Sequence, residues 1–257
     1  MSKLFIDTSG IPYPAAICSL FDCSFLATPV TARYIYYVSL LLSVLYLSEK
    51  WMKYTTFLLF SISCLGFTLE ESNGVMNRCA LYSMVFFAQS AAYFMGGQDV
   101  KKNRIQFAVQ VIAAGYFLAG VSKLLASGPG WVTDAPNAAV QMIKNYAYEY
   151  YDSGAQAAMD MGYQQAQFVL DNKPVIIVLF AFSLLFELTA WVAMFSKRHA
   201  FVYGLLLLGM HMGILYFMDI LIVAIFYPML IILINPAYTI WFWLGELGLW
   251  IKRKLDF

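Results

Sequence analysis

Four side chains that carry charge or move protons stand inside otherwise apolar stretches of the sequence: Arg78, Lys123, Glu187 and His211. A charge at the centre of a bilayer-spanning helix costs roughly 2.5–3.5 kcal/mol on insertion scales, so such residues usually face a protein interior. A buried lysine can act as a base because a low-dielectric surround makes its neutral amine accessible. A histidine beside it can transfer the proton, and Arg78 would add a permanent cation. Each residue also has a plain structural reading. Lys123 can snorkel to headgroups, Arg78 can pair with Glu70 or Glu71 across a short loop, His211 can donate an interhelical hydrogen bond, and Glu187 can stay protonated and join two helices. What raises the odds of chemistry is that several of them fall at one depth.

The elements that must position these residues follow from composition. The chain has 257 residues, 61% apolar and 12% charged, about half the charge of a soluble globular domain. A water-soluble single domain is excluded, and 16 Lys+Arg against 15 Asp+Glu leave no basic surplus for nucleic acid. At roughly 20 apolar residues per crossing, about seven spans fit. Residues 1–30 hold Asp7, Pro12, Pro14, Asp22 and Pro29 and read as an extramembrane or re-entrant segment. Spans are expected at 32–47, 54–69, 75–95 and 105–126, then a polar loop at 127–173 with one or two surface helices, then a span at 174–195. The apolar run 200–233 is too long for one crossing, at about 50 Å against a ~30 Å core, and is split near Asp219. Residues 237–257, with Trp241, Trp243 and Trp250 before Lys252, Arg253 and Lys254, read as an interfacial helix and basic tail. The expected fold is an all-α polytopic transmembrane helix bundle of about seven spans within 31–236.

Ten of the sixteen Lys and Arg lie in four clusters, at Lys50/Lys53, Lys101/Lys102/Arg104, Lys197/Arg198 and Lys252/Arg253/Lys254. Seven spans put all four clusters on one side, which the positive-inside rule makes cytoplasmic. The expectation is therefore a protein of the plasma or inner membrane with its N-terminus and the acidic 127–173 loop outside and its C-terminus inside. Arg78, Lys123, His211 and Asp219 then share the outer half of the membrane, with Glu187 deeper.

Metal chemistry finds little support, since His199 and His211 are the only histidines and no H-E-x-x-H or C-x-x-C occurs. Phosphate-binding glycine loops and serine elbows are also missing from the sequence. Cys18 and Cys23 lie close together on the expected outside and suit a disulfide, while Cys64 and Cys79 read as packing residues within spans.

The stretch Tyr116-Phe117-Leu118-Ala119-Gly120-Val121-Ser122-Lys123-Leu124, followed by Gly130-Trp131-Val132, resembles the Ala-Gly-x-x-Lys-Leu…Trp segment of the vitamin K-dependent gamma-carboxylase membrane domain, also called the horizontally transferred transmembrane (HTTM) domain. Asn77 to Asp99 is similar to the family's Asn-x-x-x-x-Tyr span and following loop, and Phe186-Glu187 with His211 further on fits the same order. The resemblance covers about residues 77–236. It implies a lysine base at Lys123 that serves oxygenation of a hydroquinone, with His211 beside it and Asn77, Arg78, Trp131, Glu187 and Asp219 shaping the substrate site. Two departures limit it. Arg78 stands where the carboxylase has a histidine, and the sequence ends shortly after the membrane part, so carboxylation of a docked protein is not expected.

Two readings of function follow. One is a membrane enzyme acting on a quinol or another lipid-soluble substrate, with a quinone or hydroquinone as cofactor. The other is a non-catalytic membrane partner or carrier in peptide maturation or export, a role also associated with small HTTM-like proteins. A cavity opening to lipid at Lys123 favours the enzyme, and a packed Lys123 paired to a carboxylate favours the partner. A seven-span terpene cyclase, with Glu70, Glu71 and Asp219 as acids, is a more distant alternative.

The orientation is tested with single cysteines at Ser48, Gln98, Ser153 and Ser196 in a cysteine-free background. Only the Ser153 position should label from outside; the reverse pattern inverts the topology. Peptide mapping of unreduced, alkylated protein should recover Cys18 joined to Cys23, a short loop that stabilises by on the order of 2 kcal/mol. Alkylated thiols at both positions would remove the bridge.

Overall fold

Long apolar runs punctuated by turn formers become helices, as a computed structural model shows for the residues it describes: 18, 20, 24–72, 80–218, 223–237 and 239–240. In order these are α1 (Pro29–Leu47), α2 (Met52–Ser72), α3 (Ala80–Met95), α4 (Val100–Ser127), the single turn α5 (Gly130–Thr133), α6 (Ala138–Ser153), α7 (Gln156–Asp171), α8 (Lys173–Leu188), α9 (Lys197–Met218) and α10 (Val223–Pro228). Tight 3₁₀ turns cover Ala135–Asn137 and Ala190–Met194, and a π-helical turn covers Met229–Ile234. Among the described residues every regular element is helical.

Four helices are long and apolar enough to cross a membrane: Pro29–Leu47, Met52–Leu69, Val100–Ser127 and Lys197–Tyr216. Only 6% of α1 is buried within the protein, and its outer surface carries Tyr34, Tyr37, Leu40, Leu41, Val44 and Leu47. Such a continuous apolar face is stable against lipid and not against water. Hydroxyls on these helices turn back to their own backbone: Ser43 donates to the Ser39 carbonyl, Thr56 to Met52, Ser61 to Phe57 and Thr68 to Cys64. That satisfies each polar group without any external partner, as a lipid surround demands.

Of the remaining expected spans, two are only partly covered by the described residues and one is interrupted. The described part of the third, α3, has 16 residues, and residues 73–79 before it lie outside the described residues. The expected 174–195 span stops as an α-helix at Leu188, and α7 and α8 meet at a bend of 89°. Asp219, where the run 200–233 is expected to split, lies outside the described residues; α9 is described as far as Met218, and the apolar helix on the far side covers Ile225–Ile234. At 1.5 Å per residue that is about 15 Å, half a hydrocarbon core. Pro228 ends regular α-helical bonding there, since it has no N–H to donate.

The chain forms two compact units, one of Met1–Ile112 with Val223–Pro228 and the other of Ala113–Ile222 with Met229–Phe257. In the first, α2 packs along α3 and against α1, and α10 packs on α3. Gln89 of α3, 2% exposed, accepts a 2.8 Å hydrogen bond from the Tyr46 hydroxyl of α1. The α1–α2 connection places Glu49 and Trp51 at φ 53° and 50°. Glu49 is held there by Lys101 at 2.6 Å and Arg104 at 3.4 Å. The Lys101 hydrogen bond and charge, aided by Arg104, lower the Glu49 carboxyl below its ordinary value. Its folded-state value is the depressed one, so this tie is fully present above the unfolded carboxylate range and is lost as pH falls through the folded value. Cys18 is disulfide-bonded, to a partner outside the described residues, and Cys64 is a free thiol.

In the second unit the expected surface helices are α6 and α7, an antiparallel hairpin about Gly154, whose φ of 71° makes the turn. A Cβ at Gly162 would come within 2.7 Å of Tyr146, so glycine lets the two helices meet. Ala139, Met142, Ala166 and Val169 form the seam, and Ile176 of α8 joins the same cluster with Ala135. The expected helix at 237–250 lies almost wholly outside the described residues.

Candidate functional site

All of the polar residues brought together lie on α4, α5, α8, α9 and the π turn of the second unit. On α4, Tyr116 and Lys123 are seven residues apart, which is two turns, so they share one face about 10.5 Å apart along the axis. Gly120 lies between them on that face. A side chain at Gly120 would press on Leu188 at 3.1 Å and on the Glu187 Cβ at 3.2 Å. Its absence lets the end of α8 reach α4 and sets Glu187 opposite Lys123.

Lys123 Nζ donates to both carboxylate oxygens of Glu187, each at 2.5 Å. The Lys123 side chain is 28% exposed and that of Glu187 only 5%. The Lys123 amine also sits 4.7 Å from the centre of the Trp131 ring, and Trp131 is backed by Phe180 at 5.3 Å. An aromatic face attracts a cation, so carboxylate and ring engage the amine together.

The second pair is Tyr116 and His211, whose phenol oxygen and Nε2 are 2.8 Å apart. Both are buried, and the Tyr116 hydroxyl also lies 3.1 Å from the sulfur of fully buried Met229. One phenolic proton cannot serve both neighbours. With Nε2 protonated, His211 donates to the phenol oxygen and Tyr116 to the sulfur; with Nε2 bare, Tyr116 donates to His211. Beside His211, the Met210 sulfur accepts from Ser183 of α8 at 2.8 Å. A Cβ at Gly204 would meet Ile234 at 2.8 Å, so α9 and the π turn approach closely enough to carry Met229 to Tyr116. Lys123 lies within electrostatic reach of His211, and Glu187 within reach of Tyr116.

Of the residues singled out in the sequence, Lys123, Glu187 and Trp131 are in direct contact, and His211 stands one pair away. Asn77, Arg78 and Asp219 lie outside the described residues. The head groups of Lys123 and Glu187 meet. Ile176 packs on Ala135 and Phe180 on Trp131, so the first turns of α8 run along the segment that follows α4. Tyr116 stands in the sequence only as the first residue of the resembling stretch, with no site role, and Met229 is not marked at all. The position of Tyr116 two turns before Lys123 was the available signal for such a role, while nothing local marks Met229.

No protein-family model, no curated protein and no solved structure matches the chain.

Unequal costs are expected when the ion pair is cut. Removing one partner of a buried pair costs about 3–5 kcal/mol when the charge left behind stays charged. Either group left behind can neutralise itself, the carboxyl by gaining a proton and the amine by losing one, but Lys123, 28% exposed, can also turn its amine toward water or headgroups, whereas Glu187, 5% exposed, cannot. Thermal unfolding in lipid nanodiscs should therefore fall more for Lys123→Met than for Glu187→Leu, with Lys123→Met/Glu187→Leu recovering most of the loss. Additive losses in the double variant would show that the two residues act independently.

Proposed function

We propose that this chain is an integral membrane protein of the HTTM type that works as a non-catalytic partner or carrier in peptide maturation or export, with Lys123 and Glu187 as an internal tie. The observation that carries this reading is the engagement of the Lys123 amine by both oxygens of Glu187 and by the Trp131 ring. A lysine acting as a base needs a free lone pair directed at its substrate, and an ammonium ion-paired to a carboxylate has none. The seven-span arrangement, with the N-terminus outside and the cationic clusters in the cytoplasm, belongs to the same proposal; the four span-length helices support a membrane-crossing chain, and the placing of the cationic clusters supports the orientation.

A second reading is favoured by one specific observation. The Tyr116–His211 pair is a buried hydroxyl–imidazole couple within electrostatic reach of Lys123, a grouping that suits proton movement during quinol chemistry. Under this reading the protein is a membrane enzyme on a quinol or other lipid-soluble substrate, Lys123 and His211 act on it, and Glu187 releases Lys123 when substrate enters.

Oxygen uptake decides between them. Purified protein in nanodiscs is given a reduced vitamin K-type hydroquinone in air-saturated buffer, alongside Lys123→Met and empty nanodiscs. The partner reading expects all three to consume oxygen at the same rate. Uptake by the wild type that Lys123→Met abolishes would overturn it in favour of the enzyme.

A further inference from the structure

We propose that the face built from the α1–α2 and α3–α4 connections of the first unit is a binding site for the phosphate headgroup of an anionic phospholipid. The inference is independent of whether the Lys123 site is catalytic.

The first observation is a misplacement of charge. Helices α2 and α4 begin at this face, at Met52 and Val100. A helix N-terminus carries partial positive charge, so acids normally occupy its first turn and lysines there are unfavourable. Neither α2 nor α4 has an acid in its first turn, while Lys53, Lys101 and Lys102 stand at these starts and Arg104 follows. Cations set against two helix dipoles cost stability, and an anion bound among them reverses the sign of that cost.

The second observation is that these cations are gathered rather than scattered. Glu49 binds both Lys101 and Arg104, which ties the α1–α2 connection to the start of α4. Lys53 lies 4.6 Å from the centre of the Phe94 ring, which ties the start of α2 to the end of α3. Glu49 and Asp99 are the only acids against Lys50, Lys53, Lys101, Lys102 and Arg104 in these two connections and the helix starts beside them. Lys50 and Lys102 are exposed and make no ion pair among the described residues. Arg104, its side chain 13% exposed, has a buried Nε with no acceptor. The face thus has donors in excess of acceptors, the complement of a phosphodiester.

The third observation identifies the source of the phosphate. Helices α1, α2 and α4, which lead away from this face, are span-length and apolar, so their ends stand at the headgroup layer. Trp51 and Met95 project there, each 74% exposed. A tryptophan at a helix end beside lysines is the arrangement of a membrane interface, with the ring among the upper acyl carbons and the ammonium groups among phosphates. A soluble anion would use the lysines but give these apolar groups nothing to cover.

The test is native mass spectrometry of the full chain released from mixed detergent–lipid micelles containing phosphatidylglycerol or phosphatidylcholine. Wild type should retain phosphatidylglycerol preferentially. Lys50→Gln/Lys53→Gln/Lys102→Gln should weaken that retention by about fivefold per lysine, roughly a hundredfold in all, with phosphatidylcholine unchanged. The same three positions changed to Arg should keep the preference, which separates loss of charge from loss of fold. Lys173→Gln, a lysine remote in sequence at the start of α8, should have no effect. Equal retention of the two lipids, or a triple Gln variant that retains phosphatidylglycerol like the wild type, would overturn the site. Displacement of the lipid by equimolar glycerol 3-phosphate would overturn the lipid assignment in favour of a soluble phosphate.

Discussion

A polar group in hydrocarbon has no water to fall back on, and at Lys123 and Glu187 that constraint acts on two full charges at once. Each makes the other tolerable, and the backbone is arranged to let them meet. Gly120 withdraws its side chain so that the end of α8 can lie against α4. Trp131 and Phe180 then close over the amine. The same constraint operates with smaller groups elsewhere, where Ser and Thr hydroxyls return to carbonyls one turn back and Tyr46 finds Gln89. Hydrogen bonds of this kind between membrane helices average only about 0.6 kcal/mol. Their value is less in stability gained than in a buried penalty avoided.

The architecture follows from how much of each helix can be given to lipid. Helix α1 buries almost nothing and needs only apolar residues and sound caps, which Thr28 and Pro29 supply at its start. Helix α8 carries a charge near its end and cannot be treated so freely. It turns by 89° from α7, lays its first turns on Ala135 and Trp131, and only then delivers Glu187 to Lys123. The hairpin of α6 and α7 acts as the support for that course, since Ile176 is packed into its seam.

The span-length helices were legible because a period-free apolar run between charged or turn residues has few other readings in a chain this apolar. α1, α2, α4 and α9 begin and end within a few residues of their expected bounds. The short elements were not legible, and for a physical reason. Hydropathy reports whether a residue tolerates lipid, not whether it meets lipid, so Ile176 and Phe180 look like membrane residues although they pack on the cluster of Ala135 and Ala139 and on Trp131, while Val175, Val178 and Leu179 of the same turns are exposed. In the same way Pro228 is one residue in a long apolar stretch, yet it marks the change from α10 to the π turn. At the site, Lys123, Glu187 and His211 stood out because charge is costly there. Tyr116 and Met229 did not, because a tyrosine or a methionine in a span is ordinary until its neighbour is known.

The presence of an ion pair between α4 and α8 also needs an account, since apolar residues of similar volume are often as stabilising as a buried pair or more so. α4 and α8 meet over a short contact, at Gly120 against Glu187 and Leu188, so few apolar contacts fix their alignment. A shift of one residue along α8 would carry Glu187 about 100° around its helix and away from Lys123, leaving two unpaired charges. The pair therefore penalises every register but one. The cost of that penalty is concentrated where Gly120 admits the helix, so the close approach and the charges select the same alignment. Tyr116 lies on the same face of α4, two turns before Lys123, and meets His211 of α9 there.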